Sequence, residues 1–153
     1  MKVELVNYTS DAVDLLLFTK NTRLMDDEDA YGKIADWPET KKQEELDYML
    51  QTIRSSWEFI DYTFNIRDVS RGFTHQFVRT RQASYAQQSQ RTVDMFGFSY
   101  YVPERIEQHA EALEEYDKAM TDIADAYQKL RKFVPAEDAR GILPTNIYTN
   151  IVA

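Results

Sequence analysis

The sequence has no cysteine, which excludes disulfides, thiolate catalysis and thiolate-bound metal centres. Histidine is nearly as scarce: His75 and His109 stand alone, far too few for a histidine metal site. No low-complexity tract and no internal repeat is present. No apolar run approaches the length of a membrane span, and no basic-then-apolar leader precedes the first residues, so no membrane is expected and a cytoplasmic location is. Positive charge is in short supply, with 18 Lys and Arg against 26 Asp and Glu and a net charge of −8. That balance argues against a general nucleic-acid binder, whose sequence-independent affinity comes from neutralising phosphates.

One absence is local. Residues 69–93 contain no Asp or Glu, yet hold Arg71, His75, Arg79, Arg81 and Arg91. A cationic island in an anionic chain reads as a place for an anion. Arginine suits that task, because its planar fork stays charged and pairs with phosphate or carboxylate through two parallel hydrogen bonds. Within the island, Arg79-Thr80-Arg81-Gln82-Ala83-Ser84-Tyr85-Ala86-Gln87-Gln88-Ser89-Gln90-Arg91 interleaves cations with amides, hydroxyls and small residues that permit close approach.

What is present bounds the fold. A chain of 153 residues, 43% apolar, fits a single domain over 1–153 with a real core, and 13% aromatic residues favour ring-lined pockets or subunit contacts. Residues 1–8 alternate and read as a strand. Thr9 or Ser10 can cap a helix from Asp11 to Lys20 with Val13, Leu16 and Leu17 on one face. Residues 21–39 read as an acidic loop, and Thr40 to Ile53 as a helix with Leu46, Met49, Leu50 and Ile53 in a stripe. Residues 57–66, rich in aromatic and β-branched side chains, read as a strand with Tyr62, Phe64 and Ile66 inward.

Ser70 can cap a helix to Arg81 that aligns Arg71, His75 and Arg79. Residues 93–102 read as a strand interrupted at Gly97. Pro103 opens a long helix whose seam runs Ile106, His109, Leu113, Tyr116, Met120, Ile123, Tyr127, Leu130 and Val134, packing within the chain or between subunits. After Pro135 the tail reads as irregular. The class is α+β.

Ser89 invites a nucleophile reading, but no base is visible beside it, so a hydrogen-bonding role to a ligand is the better one. His75 reads as a structural histidine and His109 as core. No covalent nucleophile and no metal are expected, and no catalytic residue is assigned.

At these residues the chain resembles the flavin-dependent thymidylate synthases. Their signature is Arg-His-Arg, seven residues, then Ser; here it reads Arg79-Thr80-Arg81, seven residues, Ser89. Ser55-Ser56-Trp57-Glu58-Phe59 ahead of Tyr62-Thr63-Phe64, and the block from Pro135 to Thr149, are similar to two further family segments. The resemblance implies a mixed antiparallel sheet with flanking helices and one long helix, assembled as a homotetramer. It implies reductive methylation of deoxyuridine monophosphate to thymidine monophosphate, with methylenetetrahydrofolate, FAD and NADPH.

Carried onto this chain, Gln76, Arg79, Gln87, Gln88, Ser89, Arg91 and Arg140 would hold the nucleotide. Ser55, Arg79, Thr80, Arg81 and Gln87 would lie along the flavin. Thr80 stands where the triplet has His, and Ile53 and Phe59 where the family often has His, which implies altered flavin contacts. The family pattern continues beyond the counterpart of Ala153, so the chain is expected to be the larger N-terminal part of such an enzyme, either split and completed by a second chain or truncated. The other reading is a relative that binds nucleotide or flavin without turnover and acts as a binding or regulatory protein.

Overall fold

The computed structural model describes all 153 residues, which divide into two compact units, 5–63 and 1–4 with 64–153. Four strands form one sheet in the order β1-β2-β4-β3, from β1 (Lys2–Tyr8), β2 (Tyr62–Ser70), β3 (Ala86–Gln87) and β4 (Tyr148–Val152). Pairing of β4 with both β2 and β3 is antiparallel. Seven helices accompany the sheet: α1 (Ala12–Lys20), α2 (Ala30–Ala35), α3 (Glu39–Thr52), α4 (Arg71–Phe77), α5 (Glu104–Glu107), α6 (Ala110–Leu130) and α7 (Ala136–Ala139). The α+β class is borne out.

The unit of residues 5–63 is held by Leu16, Leu17, Ile34 and Met49, with Phe18, Leu24, Trp37, Leu46 and Ile60 packed on them. Neither Thr9 nor Ser10 caps α1. The Thr9 hydroxyl accepts from the Asp61 backbone N–H at 2.9 Å, and Asp11 takes the cap position with φ 51° and no side-chain bond. The other end is closed by buried Asn21, whose amide donates to the Leu17 carbonyl at 2.7 Å. Residues 21–39 are not a plain loop, because Ala30 and Ile34 fold into α2 to reach this core. Val13 and Leu50, expected on buried stripes, are exposed. Lys42 bridges the Asp14 carboxylate at 2.7 Å and the Ala35 carbonyl at 2.8 Å.

The unit containing 64–153 is built on Ile66, Val69 and Ile151, flanked by Phe64, Phe77, Tyr85 and Ala153. Strand alternation alone does not put Ile66 and Val69 on one face, since they are three residues apart. A bulge does. Ile66 pairs with Ile151 and Val69 with Thr149, three steps on β2 against two on β4. Asp68 sits in the bulge at φ 57°, and its N–H donates to the Asn150 side chain at 3.2 Å. Tyr62, expected inward, is exposed, and residues 55–59 form a 3-10 turn ahead of the strand.

The long helix is not continuous from Pro103. An extended His109 separates α5 from α6, and that histidine is exposed rather than core. The seam packs within the chain: Met120 and Tyr127 are buried, the Tyr100 hydroxyl donates to Asp117 at 2.8 Å, and Asn146 donates to the Tyr116 hydroxyl at 2.7 Å. Residues 93–102 form turns, with only Tyr100 bridging to Ile147. The tail expected to be irregular supplies β4, which lies between two other strands.

Ile151 is fully enclosed, so Ile151→Ala should lower stability by about 2–4 kcal/mol in chemical denaturation. Val152→Ala, on the exposed side of the same strand, should cost about 1 kcal/mol or less. Equal losses at the two positions would remove Ile151 from its anchoring role.

Candidate anion-binding site

The island folds as helix, turn and strand. Ser70 caps α4 as expected, its hydroxyl accepting from the Phe73 N–H at 3.0 Å. The helix stops at Phe77, four residues short of the expected end. Tyr85 explains the stop: its ring packs edge-on against Phe77 at 5.2 Å, and its hydroxyl donates to the Thr80 carbonyl at 2.7 Å. The chain is thereby turned back toward β4. Arg79, Thr80 and Arg81 lie in this turn with exposed side chains, and Gln76 is exposed on the last turn of α4.

Alternation along β3 then sorts the amides. Gln87 donates through Nε2 to the Thr74 hydroxyl at 2.7 Å, and that hydroxyl donates to the Arg71 carbonyl at 3.0 Å. Gln88 turns to Asn150, whose amide donates to the Gln88 Oε1 at 2.9 Å. On that side Gln88, Asp68 and Asn150 line a separate cleft of about 250 Å³. The structure therefore parts Gln88 from Gln87, although sequence placed both on one ligand.

Ser89 accepts through its hydroxyl from the Arg91 N–H at 3.1 Å and hydrogen-bonds to neither histidine. No activated nucleophile is assembled there.

Beyond β3 the cations converge. Arg91 Nη1 lies 3.2 Å from the Glu137 carboxylate, and Arg140 Nε donates to the Glu137 carbonyl at 3.1 Å. Arg71 feels the Arg140 charge. Burial lowers the Arg71 guanidinium from its ordinary pKa, and the Arg140 charge adds to the effect. Its Nη1 is enclosed and meets no acceptor in the protein.

Of the residues read from sequence, Gln87 is thus joined to Thr74 and Arg71, and Arg91 and Arg140 to Glu137. Ser55 belongs to the other unit, exposed on the turn Ser55–Phe59. Sequence missed Thr74 and Glu137, whose roles depend on contacts across 13 and 46 positions. Arg71 was visible only as a member of the island.

The family described as thymidylate synthase complementing protein matches residues 4–153. A flavin-dependent thymidylate synthase of Sulfolobus acidocaldarius is 35% identical over 165 aligned residues, covering 99% of this chain and 59% of that protein. One from Geobacter sulfurreducens is 42% identical over 102 residues, covering 65% and 44%. One from Nitratidesulfovibrio vulgaris is 38% identical over 104 residues, covering 62% and 42%. The chain spans roughly half the length of the curated relatives it matches. Among solved structures, a UMP/dUMP methylase from Streptomyces cacaoi bound with 5-Br dUMP superposes with a TM-score of 0.76 at 20% identity. That likeness covers 99% of this chain and 71% of the other, and it is one of fold.

Thr74 has no solvent exposure and serves as acceptor and donor at once. Thr74→Val strands the Gln87 amide and should cost about 1–3 kcal/mol in denaturation. Thr74→Ser keeps the hydroxyl and should recover most of the loss. A valine variant as stable as the parent would show that the bridge is dispensable.

Proposed function

We propose, for a chain that belongs to the thymidylate synthase complementing protein family, that it holds deoxyuridine monophosphate and a flavin as part of a flavin-dependent thymidylate synthase. The reaction is the reductive methylation of deoxyuridine monophosphate to thymidine monophosphate. One observation carries this reading: the acid-free island, matched within the family, folds so that Gln87 is tied through Thr74 to the start of α4, where the Arg71 Nη1 is enclosed, while Arg91 and Arg140 both contact Glu137.

In this reading Arg91 and Arg140 take the phosphate, where charge-assisted hydrogen bonds are strongest, and Ser89 adds a neutral one. Gln76 and Gln87 offer amides, each both donor and acceptor, to the edge of the uracil. Arg79 lies between nucleotide and flavin. The donor set of Arg79, Thr80, Arg81 and Gln87 fits a flavin dinucleotide: two arginines in an exposed turn for its pyrophosphate, a hydroxyl and an amide for ring heteroatoms.

FAD supplies hydride chemistry when bound, with NADPH as reductant and methylenetetrahydrofolate as the one-carbon donor. The side chains of this chain bind, orient and exclude water. None is asked to form a covalent bond to substrate, in keeping with Ser89 being tied to Arg91 N–H. A homotetramer in the cytoplasm is the working assembly. No helix is long and apolar enough to cross a membrane.

Titration calorimetry with deoxyuridine monophosphate, and the flavin absorbance of the purified protein, test the reading. Saturable nucleotide binding is expected, weakened about 10- to 100-fold by Arg140→Ala, as loss of a charge-assisted hydrogen bond implies. Thr80→His should raise the flavin content. A colourless protein that binds no nucleotide defeats the proposal.

A further inference from the structure

A second stretch of this acidic chain is free of carboxylates. Residues 126–136 hold Lys129, Arg131 and Lys132 and no Asp or Glu. They run from the last turn of α6 into the start of α7. Cations at the end of a helix complement its dipole, which accounts for their charge. It does not account for the rings that accompany them. Phe133, next in the chain after Lys132, is 84% exposed, and Phe96 is 52% exposed.

The cations and Phe96 frame a groove. It encloses about 400 Å³ and is lined by Phe96, Gln128, Arg131 and Lys132. Arg131 and Lys132 follow Gln128 by three and four positions, which keeps the three on one side of the helix end. Phe96 forms the other wall. Its ring packs edge-on against buried Tyr127 at 5.8 Å, and its N–H donates to the Asp94 carboxylate at 3.2 Å.

The charges around the groove are largely unanswered. Arg131 Nη1 donates to the Val134 carbonyl at 2.8 Å, Nη2 lies 4.0 Å from Asp94, and Nε is enclosed without an acceptor. Lys129 and Lys132 enter no ion pair. Asp94 is thus the one carboxylate in contact with three cations, in a chain whose net charge is −8.

This combination selects an occupant. Sites for small molecules enclose about 70–90% of their ligand, more than four side chains along one helix end can cover. A peptide crossing the groove needs only one side chain inside it. An apolar side chain meets Phe96, and flanking carboxylates meet Arg131 and Lys132 through charge-assisted hydrogen bonds.

We propose that the groove docks an acidic peptide segment of a partner protein, with an aromatic or long aliphatic side chain against Phe96 and a carboxylate on Arg131 or Lys132. None of the four lining residues belongs to the proposed nucleotide and flavin site, so the two readings stand or fall separately.

The test uses the full chain and fluorescence anisotropy of a labelled peptide, Glu-Glu-Phe-Glu-Glu-Leu, beside a counterpart with Gln for every Glu. The acidic peptide should bind saturably, and less tightly as salt is raised. The glutamine peptide should bind about tenfold more weakly, as should the acidic peptide to Lys132→Glu and to Phe96→Ala. Whatever nucleotide binding the wild type shows should be the same in both variants. Lys132 is exposed, so its substitution keeps the test valid where Phe96→Ala fails to fold.

Absence of saturable binding overturns the proposal, as does a Lys132→Glu variant or a glutamine peptide within about twofold of the parent pair. Sedimentation velocity and pelleting with phosphatidylserine vesicles complete the test. A wild type that takes no peptide, yet self-associates or pellets in a manner lost in Lys132→Glu, overturns it in favour of a second copy or a lipid surface.

Discussion

Ile151 faces two partners at once, pairing with Ile66 on β2 and with Gln87 on β3, while its side chain fills the space beside Ile66 and Val69. The arrangement of the cationic cluster follows from this double pairing. Gln87 reaches Thr74 because β3 is zipped against β4. Arg71 starts α4 where β2 ends, with its N–H bonded to the Ile147 carbonyl at 3.1 Å just ahead of β4. The β-strand at the centre therefore fixes both ends of the Gln87–Thr74–Arg71 connection. Burying its isoleucine is worth about 1.5–3 kcal/mol, more than any one exposed ion pair nearby.

That strand also divides the polar groups between two faces. Gln87 and Thr74 lie on one face, and Gln88 with Asn150 on the other, because successive residues of an extended chain point opposite ways. Asn150 is doubly committed, donating to Gln88 and accepting from the N–H of Asp68 in the bulge. The bulge thus has two consequences: it brings Val69 into the core, and it anchors the amide that holds Gln88 away from Gln87. Reading Gln87-Gln88-Ser89 as one row of ligand contacts overlooks this alternation.

What could be read from sequence follows local rules, and what could not depends on distant contacts. The cap at Ser70, the bodies of α1 and α3 and the amphipathic run of α6 are set by spacing within a few turns. The strand expected over 57–66 was misplaced because its aromatic content is shared by a 3-10 turn, and because the bulge at Asp68 breaks the period of two. β4 is hidden from local reading because Gly141 and Pro144 precede it and its partners on β2 and β3 lie some 60 to 90 residues earlier. At the site, Arg91 and Arg140 were found through family resemblance and Arg71 only as one charge among several. Nothing in local spacing reveals that Glu137 meets Arg91, or that Arg71 lacks an acceptor.

The contrast between chain and island has a consequence for exchange of the anion. Glu137 and Arg91 are each more than half exposed, so their pair contributes at most about 1 kcal/mol and is readily displaced. Arg71 differs in that its Nη1 is enclosed and meets no acceptor in the protein. Under the proposed function, a ligand phosphate finds Arg91 only lightly held. Residues 69–93 carry four arginines and no carboxylate in a chain of net charge −8, so an anion is favoured there over the acidic remainder of the sequence.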